Sequence, residues 1–195
     1  MKEDRLVAFT DGVIAIIITV MVLEFHAPRS ASFGALWALR HEFIIYLASF
    51  LTLAIYWVNH HHLFSVVHRV TAPVLWANML ALLAMSLFPF ATAWMGTHKL
   101  TALAPAVFYG GVTMFANASW VLLSWALAKD NEKHHEKSFL LRQSMKKAGW
   151  SVVVNAIGIV SALIWPPLVL IIDISNFAFW FVPDRRIERH HSQTR

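Results

Sequence analysis

The sequence predicts an all-α membrane protein with six transmembrane helices, and three observations lead to this fold class. The 195 residues are 58% hydrophobic and only 14% charged, with a mean hydropathy of +0.57, whereas about 25% of the residues in soluble domains are charged. Polar residues gather in short stretches, and the apolar runs between them approach the roughly 20 residues that cross a bilayer. The runs lack the alternation of a transmembrane barrel, and lipid leaves backbone groups without partners, so helices are predicted.

The spans are predicted to form a single domain that covers residues 1–195. Pro166 and Pro167 cannot continue a regular helix, so the last apolar stretch is divided there into the fifth and sixth spans. Segment 31–41 is predicted to be a short interfacial helix, with Trp37 at the level of the headgroups. The six predicted spans are residues 5–25, 42–66, 73–95, 102–128, 148–165 and 167–183.

The distribution of positive charge predicts the orientation in the membrane. If the N-terminus lies inside, only Arg29, Arg40 and Lys99 of the 16 Lys and Arg residues lie outside. Because positive charge is concentrated on the cytoplasmic side of membrane proteins, both termini are predicted to be cytoplasmic in a multi-pass protein of the cell membrane. The basic residues are divided among the ends and loops, so a nucleic-acid partner is not predicted.

The first span contains charged residues near and within an apolar helix. Charges at this depth are costly unless they are paired or hydrated, and they therefore indicate a functional or structural site. Asp11 lies about 9 Å along the helix axis from Arg5, so each is expected to meet polar groups on a neighbouring helix. The alternative is that Asp11 is an ordinary acid near the cytoplasmic interface, where it suits the helix dipole.

Candidate partners for these charges lie at the inner end of the second span. The residues from Trp57 to His62 reach the same depth as Arg5 and Asp11, and Trp57 shares a helix face with His61, four residues later. A hydrogen-bonded lock between Asp11 and a Trp or His side chain is predicted. The alternative is a metal site, but consecutive histidines point in different directions on a helix and no carboxylate stands at ligand spacing. We therefore predict no metal and no bound cofactor.

Two motifs resemble the transmembrane protein 175 family of potassium channels. The first span has the pattern R-x-x-x-F-T-D, in which threonine replaces the usual serine of the family. The residues that match the family in the first two spans are Arg5, Phe9, Thr10, Asp11, Trp57, His60 and His61. Segment 87–96 is also similar to the third span of the family. The resemblance implies a homotetramer in which four copies of the first span line a central pore.

The resemblance also implies passive, potassium-preferring permeation, with potassium ions in a lipid bilayer as the partners. The family's apolar constriction lies five residues beyond the signature aspartate, at Ile16, and Val20 and Leu23 share its helical stripe. Thr19 would offer a hydroxyl beside this ring. The carbonyl-lined T-V-G-Y-G filter of other potassium channels does not occur. Without the resemblance, the same stripe would be assigned to lipid contact or to the packed core.

Other functions stay open at this point. A proton- or cation-coupled secondary transporter would use Asp11, His61 and Asp173, and a membrane-bound redox enzyme would hold haem through histidine. No Ser-His-Asp spacing, phosphate-binding glycine loop or haem signature occurs, so the protein is predicted not to be an enzyme. Asp173 is expected to form a structural hydrogen bond with Asn155 or Asn176.

Two further polar features have alternative interpretations. Glu24 would concentrate cations at the outer mouth of a pore, or it is an ordinary interfacial charge. His134 and His135 lie in a predicted soluble loop, residues 129–147, where they would sense pH or simply be solvated.

Overall fold

The computed structural model describes residues 3–65, 67, 70–98, 100–131 and 135–181. These residues form eight helices and no strand, which confirms the predicted all-α class. The helices are α1 (Glu3–Leu23), α2 (Phe33–Ala38), α3 (Arg40–Ser65), α4 (Ala72–Ser86), α5 (Phe88–Thr97), α6 (Leu103–Asp130), α7 (His135–Ser161) and α8 (Leu168–Phe181). The predicted sites at Lys99 and His134 and the basic tail 184–195 lie outside the described residues.

Four helical segments in the described part of the chain are long and apolar enough to cross a membrane. They are Glu3–Leu23, Arg40–Ser65, Ala72–Thr97 and Leu103–Asp130. The third segment consists of α4 and α5, which are separated by an interruption at Leu87. The backbone N–H of Leu87 donates a hydrogen bond to the carbonyl of Ala84, three residues earlier. Pro89 has no N–H for a regular helical bond, which accounts for the interruption. The chain is therefore a helical membrane protein.

Helix α7 differs from the prediction at its beginning. The segment 129–147 was predicted to be a loop, but α7 begins at His135 and continues to Ser161. Residues 132–147 contain no proline or glycine, and they include many good helix formers. The charged composition of this segment indicated its exposure to water, but it did not prevent helix formation.

The short helix predicted in segment 31–41 is α2. Ser32 caps it, because its hydroxyl accepts a hydrogen bond from the backbone N–H of Ala35. Trp37 is 70% exposed, and the Arg40 guanidinium lies 5.9 Å from the centre of its ring. An exposed tryptophan beside an arginine is typical of a helix at a membrane surface.

Helix α6 packs closely against α7 and α8 at a glycine. A Cβ atom added to Gly110 would lie 2.8 Å from a side-chain carbon of Ile159 and 3.0 Å from one of Val169. At the adjacent Gly111, a Cβ atom would have nothing within 4 Å. Small residues let membrane helices approach closely, and Gly110 is the position at which this approach needs one.

Candidate pore helix and polar lock

Helix α1 has one face against the other helices of the chain and one face directed away from them. Ile16 and Leu23 are 62% and 76% exposed, and Phe9 and Thr19 are exposed with them, whereas Ile17 is only 5% exposed. The spacing of three or four residues marks the buried face as one continuous stripe. The residues of that buried stripe are Leu6, Thr10, Ile14, Ile17 and Met21.

The residues predicted to line a pore thus lie mainly on the outward face of α1. Val20, at the edge of this face, is half-buried. The Thr19 hydroxyl donates to the carbonyls of Ala15 at 3.1 Å and Ile16 at 2.9 Å, so only its oxygen lone pairs remain for another ligand. An apolar outward stripe needs lipid, another protein surface or a wide pore beside it.

A buried chain of hydrogen bonds connects α1, α3 and α4. The Asn78 amide donates to the Thr10 hydroxyl at 2.9 Å, and its oxygen lies 2.9 Å from Nε2 of His60. Thr10, His60 and Asn78 are all almost completely buried. Asn78 was not among the residues predicted for the site, although an isolated amide in the apolar span 73–95 was a signal that could have identified it.

The predicted lock between the first two spans is present at one contact. The indole N–H of Trp57 donates to Oδ1 of Asp11 at 2.9 Å, where both residues are at least partly exposed. His61 is also exposed, and its ring lies 6.0 Å from that of His62. Arg5 is exposed at the beginning of α1. The structure therefore brings Thr10, Asp11, Trp57 and His60 into the polar connections, and it leaves Arg5 and His61 outside them.

The three consecutive histidines point in different directions. His60 is buried and its ring lies 4.4 Å from that of Phe64, while His61 and His62 are exposed. Within the described ranges, no three His, Cys, Asp or Glu side chains form a group that could hold a metal ion.

A second buried polar cluster lies between α6, α7 and α8, away from the outward face of α1. The Asn117 amide donates to the oxygen of Asn155 at 2.7 Å, and the Asn155 amide donates to Oδ1 of Asp173. Asn155 is thus one of the two partners expected for Asp173. Asn176, the other candidate, instead accepts a hydrogen bond from the Ser151 hydroxyl.

Comparison with known proteins shows similarity over nearly the whole chain. Residues 5–89 match the family described as endosomal/lysosomal potassium channel TMEM175. A potassium channel of Chryseobacterium sp. strain P1-3 is 37% identical over 190 residues, which cover 97% of each chain. A potassium channel of Chamaesiphon minutus is 29% identical over 82% of this chain and 86% of the relative. Bovine TMEM175, named an endosomal/lysosomal proton channel, is 32% identical, but over only 47% of this chain and 22% of that protein.

Solved structures have the same fold. The crystal structure of a lysosomal potassium-selective channel TMEM175 homolog from Chamaesiphon minutus has a TM-score of 0.71 at 24% identity, covering 91% of this chain and 97% of that one. The potassium channel MtTMEM175, in complex with a nanobody fusion, has a TM-score of 0.66 at 16% identity, covering 98% and 94%. Because one relative is 37% identical along nearly its full length and the family match includes the motifs of α1 and α3, the chain belongs to the TMEM175 family.

Proposed function

We propose that the protein is a potassium-preferring cation channel of a prokaryotic cell membrane, through which K⁺ permeates passively. The observation that carries this proposal is the outward apolar stripe of α1, where Ile16 and Leu23 are 62% and 76% exposed while Ile17 is buried in the subunit. Relatives with similar sequences and folds are named potassium channels. The protein binds no cofactor in this proposal and is not an enzyme.

The proposed assembly is a homotetramer in which α1 from each subunit faces a common axis. Ile16 forms the narrowest ring, and Val20 and Leu23 continue the apolar lining toward the outer mouth. A ring of aliphatic side chains conducts when it is wide enough to stay wet, and it closes by dewetting when it narrows. Thr19 presents oxygen lone pairs beside the ring. Glu24, exposed just after α1, lies where it would attract cations to the outer mouth.

The proposed topology has six spans with both termini in the cytoplasm, α7 and α8 supplying the last two. A lysine lies over a tryptophan ring at two positions that this topology places near the inner surface. The ammonium of Lys129 lies 5.2 Å from the ring centre of Trp125, and that of Lys147 lies 4.7 Å from the ring centre of Trp180. Both pairs support the orientation, because tryptophan marks membrane interfaces and positive charge is concentrated on the inner side.

Reversal potentials test the proposed function. The purified protein is reconstituted in planar bilayers or liposomes under opposing K⁺ and Na⁺ gradients. The reversal potential is expected to be shifted from zero toward the equilibrium potential of potassium. A separate experiment with a pH gradient alone measures proton flux. It is included because mammalian relatives are named proton channels. Flux that requires a coupled proton gradient and shows no unitary current steps would instead identify a secondary transporter.

Reporter fusions test the topology separately. Fusions after residues 133 and 189 are expected to read cytoplasmic, and a fusion after residue 99 is expected to read external. An external C-terminus would contradict the even number of spans.

A further inference from the structure

The outer half of α1 has a buried side chain directly behind its exposed stripe. Met21 is 1% exposed, and it lies about 140–160° around the helix from Ile16 and Leu23, at about 100° per residue. Along the helix axis it lies between Val20 and Leu23, about 1.5 Å beyond Val20. Met21 therefore stands on the opposite side of α1 from the residues that line the outer part of the proposed pore.

A chain of buried hydroxyl groups lies behind Met21. The Thr92 hydroxyl of α5 donates to the Ser49 hydroxyl of α3 at 2.7 Å, and the Ser49 oxygen lies 3.1 Å from the hydroxyl of Tyr109 on α6. All three residues are at most 5% exposed. Separating these helices would leave buried hydroxyls without partners, which is costly. The hydroxyl chain therefore holds α3, α5 and α6 in one arrangement.

Helix α5 also packs tightly against α3 one turn beyond Thr92, at Gly96. A Cβ atom added to Gly96 would lie 3.1 Å from a side-chain carbon of Ile45 and 3.2 Å from the Cα atom of Glu42. Because a backbone atom of α3 lies this close and packed interiors have few voids, α5 cannot move further toward α3. The surface behind α1 is therefore unable to recede.

The side chain of Met21 contacts this surface. Its Sδ lies 3.8 Å from Oγ1 of Thr92. Thr92 has a single hydroxyl hydrogen, which is donated to Ser49 over the shorter distance, so the contact with sulfur is mainly one of packing. A buried side chain pressed against a surface that cannot recede acts as a spacer. The length of Met21 therefore determines the distance between α1 and α5 at this depth.

We propose that Met21 sets how far the outer half of α1 projects toward the axis of the proposed tetramer, and thereby the width of the pore at Val20 and Leu23. This inference rests on the proposed channel function. If each of the four α1 helices moved outward by about 1 Å, the ring would widen by about 2 Å, and an apolar ring conducts only when it is wide enough to stay wet. Met21 is a positioning residue, because it acts on the permeating ion only through α1.

Single-channel recording of Met21 variants in planar bilayers tests this role. Met21→Ala shortens the spacer, so α1 is expected to move partway into the space released. The unitary conductance should rise several-fold, and the reversal potential in opposing K⁺ and Na⁺ gradients should move toward zero. Met21→Leu conserves the volume and should conduct as the wild type does. Combining Met21→Ala with Thr92→Leu adds bulk from α5 and should return the conductance toward the wild-type value.

Leu123→Ala is the control that separates positioning from a loss of stability. Leu123 is fully buried on α6, which packs mainly against α4, α5, α7 and α8. Both alanine variants should lower the Tm, but Leu123→Ala should leave the conductance and the reversal potential unchanged. If Met21→Ala does not assemble, Met21→Val is recorded and should show a smaller rise in conductance. An unchanged or reduced conductance in the shortened Met21 variant, or an equal rise in Leu123→Ala, would overturn the proposal.

A distance measurement distinguishes failure of this inference from failure of the proposed function. Because the chain has no cysteine, a spin label at Glu24→Cys reports the separation of the outer ends of α1 by pulsed electron paramagnetic resonance. Met21→Ala should lengthen the distance between opposite subunits by roughly 2 Å, if α1 moves partway into the space released.

Each outcome of this measurement has a different meaning. A longer distance in a protein that carries no K⁺ current would refute the channel and retain the positioning role of Met21. A conducting wild-type protein whose distances and conductance do not change in Met21→Ala would refute the positioning role alone. A label that reports no distance between subunits would refute the tetramer, and the positioning role with it.

Discussion

Asn78→Ala is expected to destabilise the subunit more than any other amide substitution at the inner ends of α3 and α4. The Asn78 side chain connects Thr10 of α1 with His60 of α3, through two hydrogen bonds of 2.9 Å. Truncation removes both bonds and leaves a buried hydroxyl and a buried imidazole nitrogen without partners. His60 has little capacity for rearrangement, because its Nδ1 already has no partner in the described part of the chain.

The magnitude depends on whether water can replace the lost amide. In membrane helices that can find other partners, a hydrogen bond contributes about 0.6 kcal/mol on average, so two bonds give a lower bound of about 1 kcal/mol. Thr10 and His60 are 0% and 1% exposed, so water does not reach them. Leaving each unpaired then costs about 1–3 kcal/mol, or about 2–6 kcal/mol for both. For a chain of this size, such a loss lowers the Tm by roughly 4–24 °C.

Thermal unfolding in detergent measures this effect, with Asn59→Ala as the control. Asn59 lies on α3 one residue before His60, but its amide bonds the carbonyl of Ile55 within the same helix. Its removal is expected to cost less than about 1 kcal/mol. Thr10→Val combined with Asn78→Ala should cost less than the sum of the two single substitutions, because the residues share one bond. Equal losses for Asn78→Ala and Asn59→Ala would refute this reasoning.

Three further predictions concern the pore, the helix packing and the exposed lock. Ile16→Asn should raise conductance several-fold and reduce potassium over sodium discrimination. Ala15 is also exposed but lies about 100° around the helix from Ile16, so Ala15→Asn should change the reversal potential less. A larger selectivity change at Ala15 than at Ile16 would contradict the assignment of Ile16 to the narrowest ring. Because the native chain has no cysteine, Ile16→Cys should make the current sensitive to small thiol reagents. Gly110→Ala should cost about 1–3 kcal/mol through overpacking, while Gly111→Ala should be neutral or stabilising, and similar Tm values for the two would refute the close approach of α6 to α7 and α8. Trp57→Phe should lower the free energy of unfolding by about 0.5–1.5 kcal/mol through loss of the bond to Asp11, and an unchanged Tm would show that this exposed bond contributes nothing.

The helical class and most of the helix positions could be predicted from the amino-acid sequence alone. The apolar runs at 5–25, 42–66, 73–95 and 102–128 are long enough for a bilayer, and a helix is the structure that satisfies their backbone there. The contact between Asp11 and Trp57 could also be predicted from the sequence, because a carboxylate and an indole N–H occur at the same depth on consecutive antiparallel spans. These features depend on local composition and on the order of the spans.

The face with which each helix meets its neighbours could not be predicted in this way and became known from the helix packing. An aliphatic stripe has the same pattern whether it faces lipid, core or pore, and the exposure of Ile16 beside the buried Ile17 distinguished the two sides of α1. For this reason, a polar residue at Ile17, which the helical phase alone suggests as a control, would destabilise the subunit, and Ala15 is the better choice. Asn78 and the pairing of Asn155 with Asp173 required the packing of helices distant in sequence, because a single amide in an apolar span does not identify its partner. Helical periodicity fixes the angles between side chains within one helix, whereas the rotation of that helix about its axis is fixed by packing against the other helices.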